Sequence, residues 1–148
     1  MEQNPIQSEP FDDLFVLEMA NNHWGDLDRG MRIIKDFGQV VRFNNVRAAI
    51  KLQFRDPDTF IHKDFRDRDD IRYVKKTIAT TLQRDDFAQL TEAVRRAGCI
   101  PMATPFDELS VDLCRELKLP MVKLASSDLN DWVLIEKIAT LRVPVIAS

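Results

Sequence analysis

Two lysines interrupt apolar runs that otherwise have the composition of buried strands. Lys51 lies within AAIKLQF (residues 48–54), and Lys123 lies within PMVKLASSD (residues 120–128). An unpaired charge is costly to bury, so each ammonium group needs a partner of opposite charge. The two runs therefore indicate either internal carboxylate partners or a small anionic ligand that carries phosphate or carboxylate groups.

Polar side chains also recur on one face of the neighbouring strands. Side chains alternate between the two faces of a strand, and the fully apolar sets must face the helices. The opposite sets contain the polar residues Glu18, Lys51, Gln53, Thr104 and Lys123. We expect these side chains to converge on one side of a parallel sheet, towards the carboxyl ends of its strands, where β/α barrels place their chemistry.

The paired charges leave two interpretations open. In the first, the lysines bind an anionic ligand, while Glu18 and Asp128 supply acid/base capacity beside it. In the second, Lys51 pairs with Glu18 and Lys123 pairs with Asp128 inside the protein, and no ligand is involved. Alternation along the strands does not separate these two interpretations.

The elements that position these residues alternate between apolar runs and helical patterns. Five runs read as strands: residues 14–20, 47–54, 99–106, 120–126 and 143–148. Amphipathic stripes lie between them, and this order predicts parallel βαβ units. We predict an α/β fold of the (β/α)8 barrel type, with the first five strands and four helices in this chain. Residues 1–13 would form a polar tail, and residues 14–148 the N-terminal part of the barrel.

One connection is much longer than the others. Residues 55–84 separate the second strand from its helix and are dense in charges of both signs, with apolar spacing that fits one short helix. Long connections in compact domains are usually functional or mobile. Residues 60–76 would form either a solvated face or a substrate lid. Trp132, at the start of the last helical stripe, is expected to pack in the core.

The composition restricts the class of protein. The chain has 148 residues, a net charge of −3 and 45% hydrophobic residues, and no basic tract stands out, which argues against nucleic-acid binding. No apolar run approaches membrane-spanning length, and the polar N-terminus does not read as a signal peptide. Cys99 and Cys114 lack metal-site spacing and predict buried free thiols. We therefore expect a cytoplasmic protein.

Five short segments together resemble the sialic acid (N-acetylneuraminate) synthase family. They occur in order along residues 14–148: LEMANNHWGD, AIKLQF, ATPFD, KLASSD and VPVIAS. Each segment is weak by itself, but five in order are specific. The resemblance implies a phosphoenolpyruvate-dependent, aldol-type condensation with an N-acetylated amino sugar similar to N-acetylmannosamine. The product would be a sialic acid or a related nonulosonate, with release of phosphate.

The resemblance also implies roles for individual residues. The substrate-binding residues would be Lys51, Gln53, Thr104, Phe106, Lys123 and Ser126. The two lysines would hold the phosphate and the carboxylate of phosphoenolpyruvate. Thr104 and Ser126 would add hydrogen bonds, and Gln53 and Phe106 would shape the pocket.

Further roles concern the reacting centre and a metal ion. The resemblance implies that Glu18 contacts the reacting centre, and that Asp128 steadies the developing oxocarbenium or its attacking water. Asp128 is one methylene shorter than the glutamate typical of the family. A divalent metal, Mn or Mg, is implied, with ligands that are not in this chain. His23 would order the loop after the first strand or contact a ligand.

The segment 60–76 and the extent of the chain raise alternatives. The charged segment is more similar to a branch linked to spore coat polysaccharide synthesis, which leaves another aldose open as the acceptor. Five strands would leave an open edge, so we expect a homodimer or association with the missing half, and no catalysis by the chain alone. A different class of function also stays open, namely a truncated non-catalytic subunit that binds an anion or serves assembly.

Overall fold

Five parallel strands form one sheet in sequential order. The computed structural model describes residues 9–148, so residues 1–8 of the expected tail lie outside the described part. The strands are β1 (Leu14–Ala20), β2 (Arg47–Phe54), β3 (Ile100–Pro105), β4 (Met121–Leu124) and β5 (Val145–Ala147). The order β1-β2-β3-β4-β5, with every neighbouring pair parallel, is that of a half-barrel. The predicted fold class is confirmed.

The helices connect successive strands. They are α1 (Leu27–Asn44), α2 (Pro57–Phe60), α3 (Arg72–Ala79), α4 (Arg84–Arg96), α5 (Glu108–Glu116) and α6 (Trp132–Ala139). The four predicted helices correspond to α1, α4, α5 and α6. Aspartate side chains accept a hydrogen bond from the first turn of three of these helices: Asp26 for α1, Asp107 for α5 and Asp131 for α6. Within residues 9–148, no helix is both long enough and apolar enough to cross a membrane.

The hydrophobic core lies between the sheet and the helices. The strand residues Ile50, Leu52 and Val122 are almost fully buried there, together with Leu90 of α4 and Val111 of α5. These are the apolar sets that alternation assigned to the helix side. The two cysteines are free and buried, as expected, and burial raises the pKa of both thiols.

The prediction for Trp132 is wrong. This side chain, the first residue of α6, is 70% exposed. Helix α6 instead buries Leu134 and Ile138, so its apolar stripe is rotated away from the tryptophan. Apolar spacing alone did not distinguish the buried stripe from the first turn beside it.

Glycines allow α1 and α4 to approach closely. A Cβ atom at Gly38 would lie 2.9 Å from the Cβ atom of Ala97, and one at Gly30 would lie 2.8 Å from a methyl carbon of Leu90. A side chain at Gly38 would force the two helices apart, whereas one at Gly30 would require the side chain of Leu90 to move. The close contact fixes the first two βα units against each other, and with them the adjacent strands β1 and β2.

The long connection after β2 is structured. It contains α2, a 3₁₀ turn at Lys63–Phe65 and the predicted short helix, which is α3. The Phe60 ring of α2 lies 6.0 Å from the Phe106 ring in an edge-to-face arrangement and 6.5 Å from the Tyr73 ring of α3. The connection therefore lies beside the carboxyl end of β3, where Phe106 follows the strand.

Candidate active site

A buried lysine with two polar partners occupies the inner face of the sheet. Lys51 is 4% exposed; its ammonium group forms an ion pair with Glu18 and lies 3.4 Å from Oγ1 of Thr104, to which it donates. Strand pairing places Glu18 directly opposite Lys51, and a bulge follows at Met19. The predicted convergence of Glu18, Lys51 and Thr104 is therefore present in the structure.

Among residues 9–148, the second lysine has no such partner. Lys123 is half-buried in β4 and pairs in register with Ile146 of β5. The ion pairs of residues 9–148 include Lys51 with Glu18 but none between Lys123 and Asp128. One carboxylate oxygen of Asp128, Oδ2, is buried without a hydrogen-bond partner among these residues. The purely internal pairing considered from the sequence therefore holds for the first lysine and fails for the second.

The remaining predicted residues surround these groups at the strand ends. Gln53 is half-buried and pairs in register with Thr104. Phe106 is half-buried directly after β3, and Ser126 is exposed in the 3₁₀ turn that follows β4. The predicted site residues therefore lie on β1, β2, β3 and β4 or directly after β3 and β4. Their roles toward a substrate stay predictions.

His23 orders the loop after β1. It is 2% exposed, and its Nδ1 accepts a hydrogen bond from the amide of Gly25 at 3.0 Å. Burial lowers the pKa of the imidazole, which favours the neutral ring that this acceptor role requires. Gly25 has a φ of +76°, and a Cβ atom there would lie 2.9 Å from the carbonyl oxygen of Ala79. The first of the two roles considered for His23 thus has direct structural support.

Asp107 ends the ATPFD segment, and the sequence alone indicated no role for it in the site. Its side chain is buried and accepts hydrogen bonds from the amides of Asp56 at 2.8 Å and Ser110 at 2.7 Å. Burial raises the pKa of this carboxyl. Asp107 therefore joins the loop after β2 to the start of α5, directly beside Phe106. An aspartate directly before a helix predicts the N-cap of α5, which is the contact with Ser110. No sequence signal indicates the contact with Asp56.

Arg55 is a further residue of the site that the sequence reasoning missed. Its guanidinium lies 4.0 Å from the centroid of the Phe106 ring and 5.1 Å from that of the Phe60 ring. Residues 51, 53 and 55 alternate along the chain, so Arg55 is expected on the same face as Lys51 and Gln53. This alternation is the one sequence signal that could have indicated Arg55.

The described residues do not fit a metal site by themselves. Within residues 9–148, no group of three or more histidine, cysteine, aspartate or glutamate side chains is close enough to hold a metal ion. The one histidine near the site, His23, uses Nδ1 within its own loop. The location of the ligands for a divalent metal stays a prediction.

The comparison with known proteins identifies the family. Residues 44–148 match the NeuB family.

The chain belongs to the NeuB family.

Two relatives of this NeuB chain carry the names of synthases. It is 26% identical over 140 residues to the human N-acetylneuraminate-9-phosphate synthase, covering 90% of this chain and 38% of the human protein. It is 27% identical over 138 residues to the pseudaminic acid synthase of Helicobacter pylori, covering 90% and 40% of the two chains. The sequence-based resemblance is confirmed.

A solved structure supports the fold of this NeuB chain. It superposes with a TM-score of 0.87 and 39% identity on a Chromobacterium violaceum protein assigned to spore coat polysaccharide biosynthesis, covering 91% of this chain and 40% of that chain. The NeuB chain thus spans about two fifths of the length of these relatives.

Proposed function

We propose that this chain forms the phosphoenolpyruvate-binding part of a synthase that condenses phosphoenolpyruvate with an N-acetylated amino sugar. The product is a sialic acid or a related nonulosonate, and phosphate is released. The observation that carries the proposal is the buried ammonium group of Lys51 on the inner face of the sheet, beside Glu18 and Thr104. Membership of the NeuB family supports the same reaction class.

The inner face suits the charges of phosphoenolpyruvate. Lys51 lies on β2 and Lys123 on β4, with β3 between them. The register aligns Lys51 with Met121, so Lys123 lies two residues closer to the carboxyl ends of the strands. Strand spacings place their Cα atoms roughly 12 Å apart. Two long side chains directed inwards from that separation hold the carboxylate and the phosphate of one small molecule between them. Thr104 and Ser126 add hydrogen-bond donors at the two strand ends.

Ligand binding would change the partner of Lys51. Without a ligand, Glu18 neutralises the ammonium group from a position where the glutamate side chain is 49% exposed. An incoming phosphate or carboxylate competes for the lysine and leaves Glu18 free to approach the reacting carbon atoms. The lysine acts by position and charge, which is the principal demand of this chemistry.

The bond changes balance as follows. The C2–C3 π electrons of the enolpyruvate form a bond from C3 to the aldehyde carbon of the sugar, and the aldehyde oxygen takes a proton. Positive charge develops at C2, where the carboxylates of Glu18 and Asp128 stabilise it. Water adds to C2 and loses a proton to one of these carboxylates. The C2–O bond to phosphate then breaks, the remaining hydroxyl proton on C2 passes to the departing phosphate, and a ketone is left at C2.

A specific observation favours a second candidate acceptor. Identity is higher to the protein assigned to spore coat polysaccharide biosynthesis, at 39%, than to the two named synthases, at 26% and 27%. The second candidate is therefore the same phosphoenolpyruvate chemistry with a different aldose. A panel of acceptor sugars, assayed by release of phosphate, separates the two.

The decisive experiment replaces Lys51 and measures phosphoenolpyruvate binding. It uses the polypeptide at its native length, with exposed Lys35 of α1 as the matched control. We expect Lys51→Met to weaken binding at least about 100-fold, because a charge-assisted contact is removed from a buried site. Lys35→Met should leave the dissociation constant within about twofold. Calorimetry gives the constants.

Two results would contradict the proposal. Unchanged phosphoenolpyruvate binding by Lys51→Met would exclude the assigned role of the lysine. Binding that depends on Lys51, without phosphate release for any acceptor and divalent metal offered, would favour the non-catalytic anion-binding alternative.

A further inference from the structure

A small cavity with polar walls adjoins the carboxyl end of β2. It has a volume of about 20 Å³, which is enough for an ordered water molecule but far too small for a substrate. The polar side chains that line it come from the loop after β1, the end of β2 and the end of α3: Asn21, His23, Gln53, Arg55, Thr77, Thr80 and Thr81. The cavity therefore lies where these three parts of the chain meet.

The tautomer of His23 gives this ring a second hydrogen-bonding group. Nδ1 accepts a hydrogen bond from the amide of Gly25 at 3.0 Å, so this nitrogen carries no proton. In the neutral ring the proton is therefore on Nε2, which acts as a donor. Among residues 9–148, Nε2 has no hydrogen-bond partner, although the side chain is only 2% exposed. A buried donor needs an acceptor, and the cavity that His23 lines has room for one.

Thr77 and Gln53 line the same cavity with unused polar groups. Thr77 is 5% exposed, and its hydroxyl group forms no hydrogen bond within residues 9–148. The hydroxyl groups of Thr80 and Thr81 differ, because they donate to the carbonyl groups of Lys76 and Thr77. The side-chain amide of Gln53 likewise has no partner in the described part of the chain. One small cavity thus adjoins three polar side chains whose hydrogen bonds are incomplete.

We propose that this cavity binds one ordered water, which accepts from Nε2 of His23 and donates to Oγ1 of Thr77 and Oε1 of Gln53. Through the water, His23 and Thr77 position the amide of Gln53 for the substrate, a role that rests on the proposed function. Water suits the three groups because it both accepts and donates. Buried waters typically make about three hydrogen bonds to polar groups that otherwise lack partners.

The water determines which end of the Gln53 amide meets the substrate. Gln53 pairs in register with Thr104, at the inner face of the sheet. When Oε1 accepts from the water, the NH₂ group is directed away from the cavity and offers its donors to an oxygen atom of the substrate. Without the water, rotation about the last side-chain bond exchanges the donor and the acceptor ends. His23 and Thr77 act through this water, so they are positioning residues.

The water and the tautomer are tested without an assay of activity. The crystal structure of the polypeptide at its native length should show a water within hydrogen-bond distance of His23 Nε2 and the Gln53 amide. NMR of the isotopically labelled imidazole nitrogens should show the proton of His23 on Nε2. A dry cavity, or a ring that carries its proton on Nδ1, would overturn the inference.

Variants of almost the same shape test the positioning of Gln53. Thr77→Val removes a hydroxyl group from the cavity, and Thr91→Val removes one from a fully buried threonine that lies outside it. We expect Thr77→Val to lower kcat/KM for the condensation about three- to tenfold, as the loss of one hydrogen bond does. The control Thr91→Val should stay within about twofold of the wild type.

Combined variants distinguish positioning from a general structural effect. His23→Asn keeps an acceptor oxygen for the amide of Gly25 but has no group at the place of Nε2, so we expect a loss similar to that of Thr77→Val. Added to Gln53→Met, either change should cause no further loss, because both act only through the amide. Losses that add up would contradict the positioning role. Thr77→Val with Gln53→Met provides this test if His23→Asn fails to fold.

The measurements also separate this inference from the proposed function. If the wild type fails to bind phosphoenolpyruvate in calorimetry, the proposed function is overturned, and the crystal structure still decides whether the water is present. If the wild type catalyses the condensation while Thr77→Val and Thr91→Val have the same kcat/KM, the positioning role alone is overturned.

Discussion

At the scale of single residues, the two partners of the buried ion pair are unequal. The side chain of Lys51 is 6% exposed, whereas that of Glu18 is 49% exposed. Removing the glutamate leaves a buried ammonium group without a counterion. Removing the lysine leaves a carboxylate that water can solvate. The asymmetry identifies Lys51 as the group that needs a partner, whether that partner is Glu18 or a ligand.

This asymmetry predicts unequal effects on stability. We expect Glu18→Gln to lower the free energy of unfolding by about 1–3 kcal/mol, because a buried charge loses its partner. Lys51→Met should change it by less than about 1 kcal/mol, since the exposed carboxylate is resolvated. Urea unfolding with and without inorganic phosphate provides the measurement. Phosphate should restore part of the stability of Glu18→Gln, and equal losses in both variants would contradict this account.

At the scale of elements, Asp107 connects two loops that border the site. The carboxylate joins the loop after β2 to the first turn of α5, and Phe106 directly precedes Asp107 in the sequence. We expect Asp107→Asn to lower the free energy of unfolding by about 1–3 kcal/mol, because an amide group cannot accept both hydrogen bonds. Exposed Asp36→Asn in α1 is the control and should be close to neutral.

The pH dependence of this effect has a defined sign. Burial raises the pKa of Asp107 above its ordinary 3.8, so the folded protein holds this proton more tightly than the unfolded chain does. The stability linked to Asp107 is therefore fully present below the ordinary pKa and is lost as the pH rises through the folded-state pKa. Because asparagine does not titrate, the stability difference between wild type and Asp107→Asn should narrow as the pH rises. A difference that widens would contradict the direction of the shift.

The same elements show which features the sequence predicts and which it does not. The alternation of side chains along β2 is strict, so the inward direction of Lys51 and Gln53 follows from the sequence alone. The environments of Arg55 and Asp107 depend on the path of the connection after β2, which brings Phe60 and the amide of Asp56 to them. Such long-range contacts leave no periodic signal in the sequence. The prediction for Trp132 failed because one helical turn offers two apolar stripes of similar spacing.

At the scale of the whole molecule, the order of the strands predicts a gradient of local stability. Strands β2 and β3 each pair with a strand on both sides, whereas within residues 9–148 β1 and β5 each pair on one side. Residues at the centre of the sheet, such as Ile50 and Met102, are fully buried, but Val145 of β5 is 39% exposed. Amide exchange is slowest where backbone pairing and burial coincide.

We therefore expect native-state hydrogen exchange, measured by NMR on the polypeptide of residues 1–148, to rank the strands. Amides of β2 and β3 should be the most protected, and those of Val145–Ala147 the least protected among the strands. Amides of β4 that pair with β5 provide an internal reference, because they exchange only when that pairing opens. If β5 were protected as strongly as β2, another strand would have to pair with its free side in solution, since one-sided pairing and partial exposure do not confer such protection. If β2 exchanged as fast as β5, the sheet order itself would be contradicted.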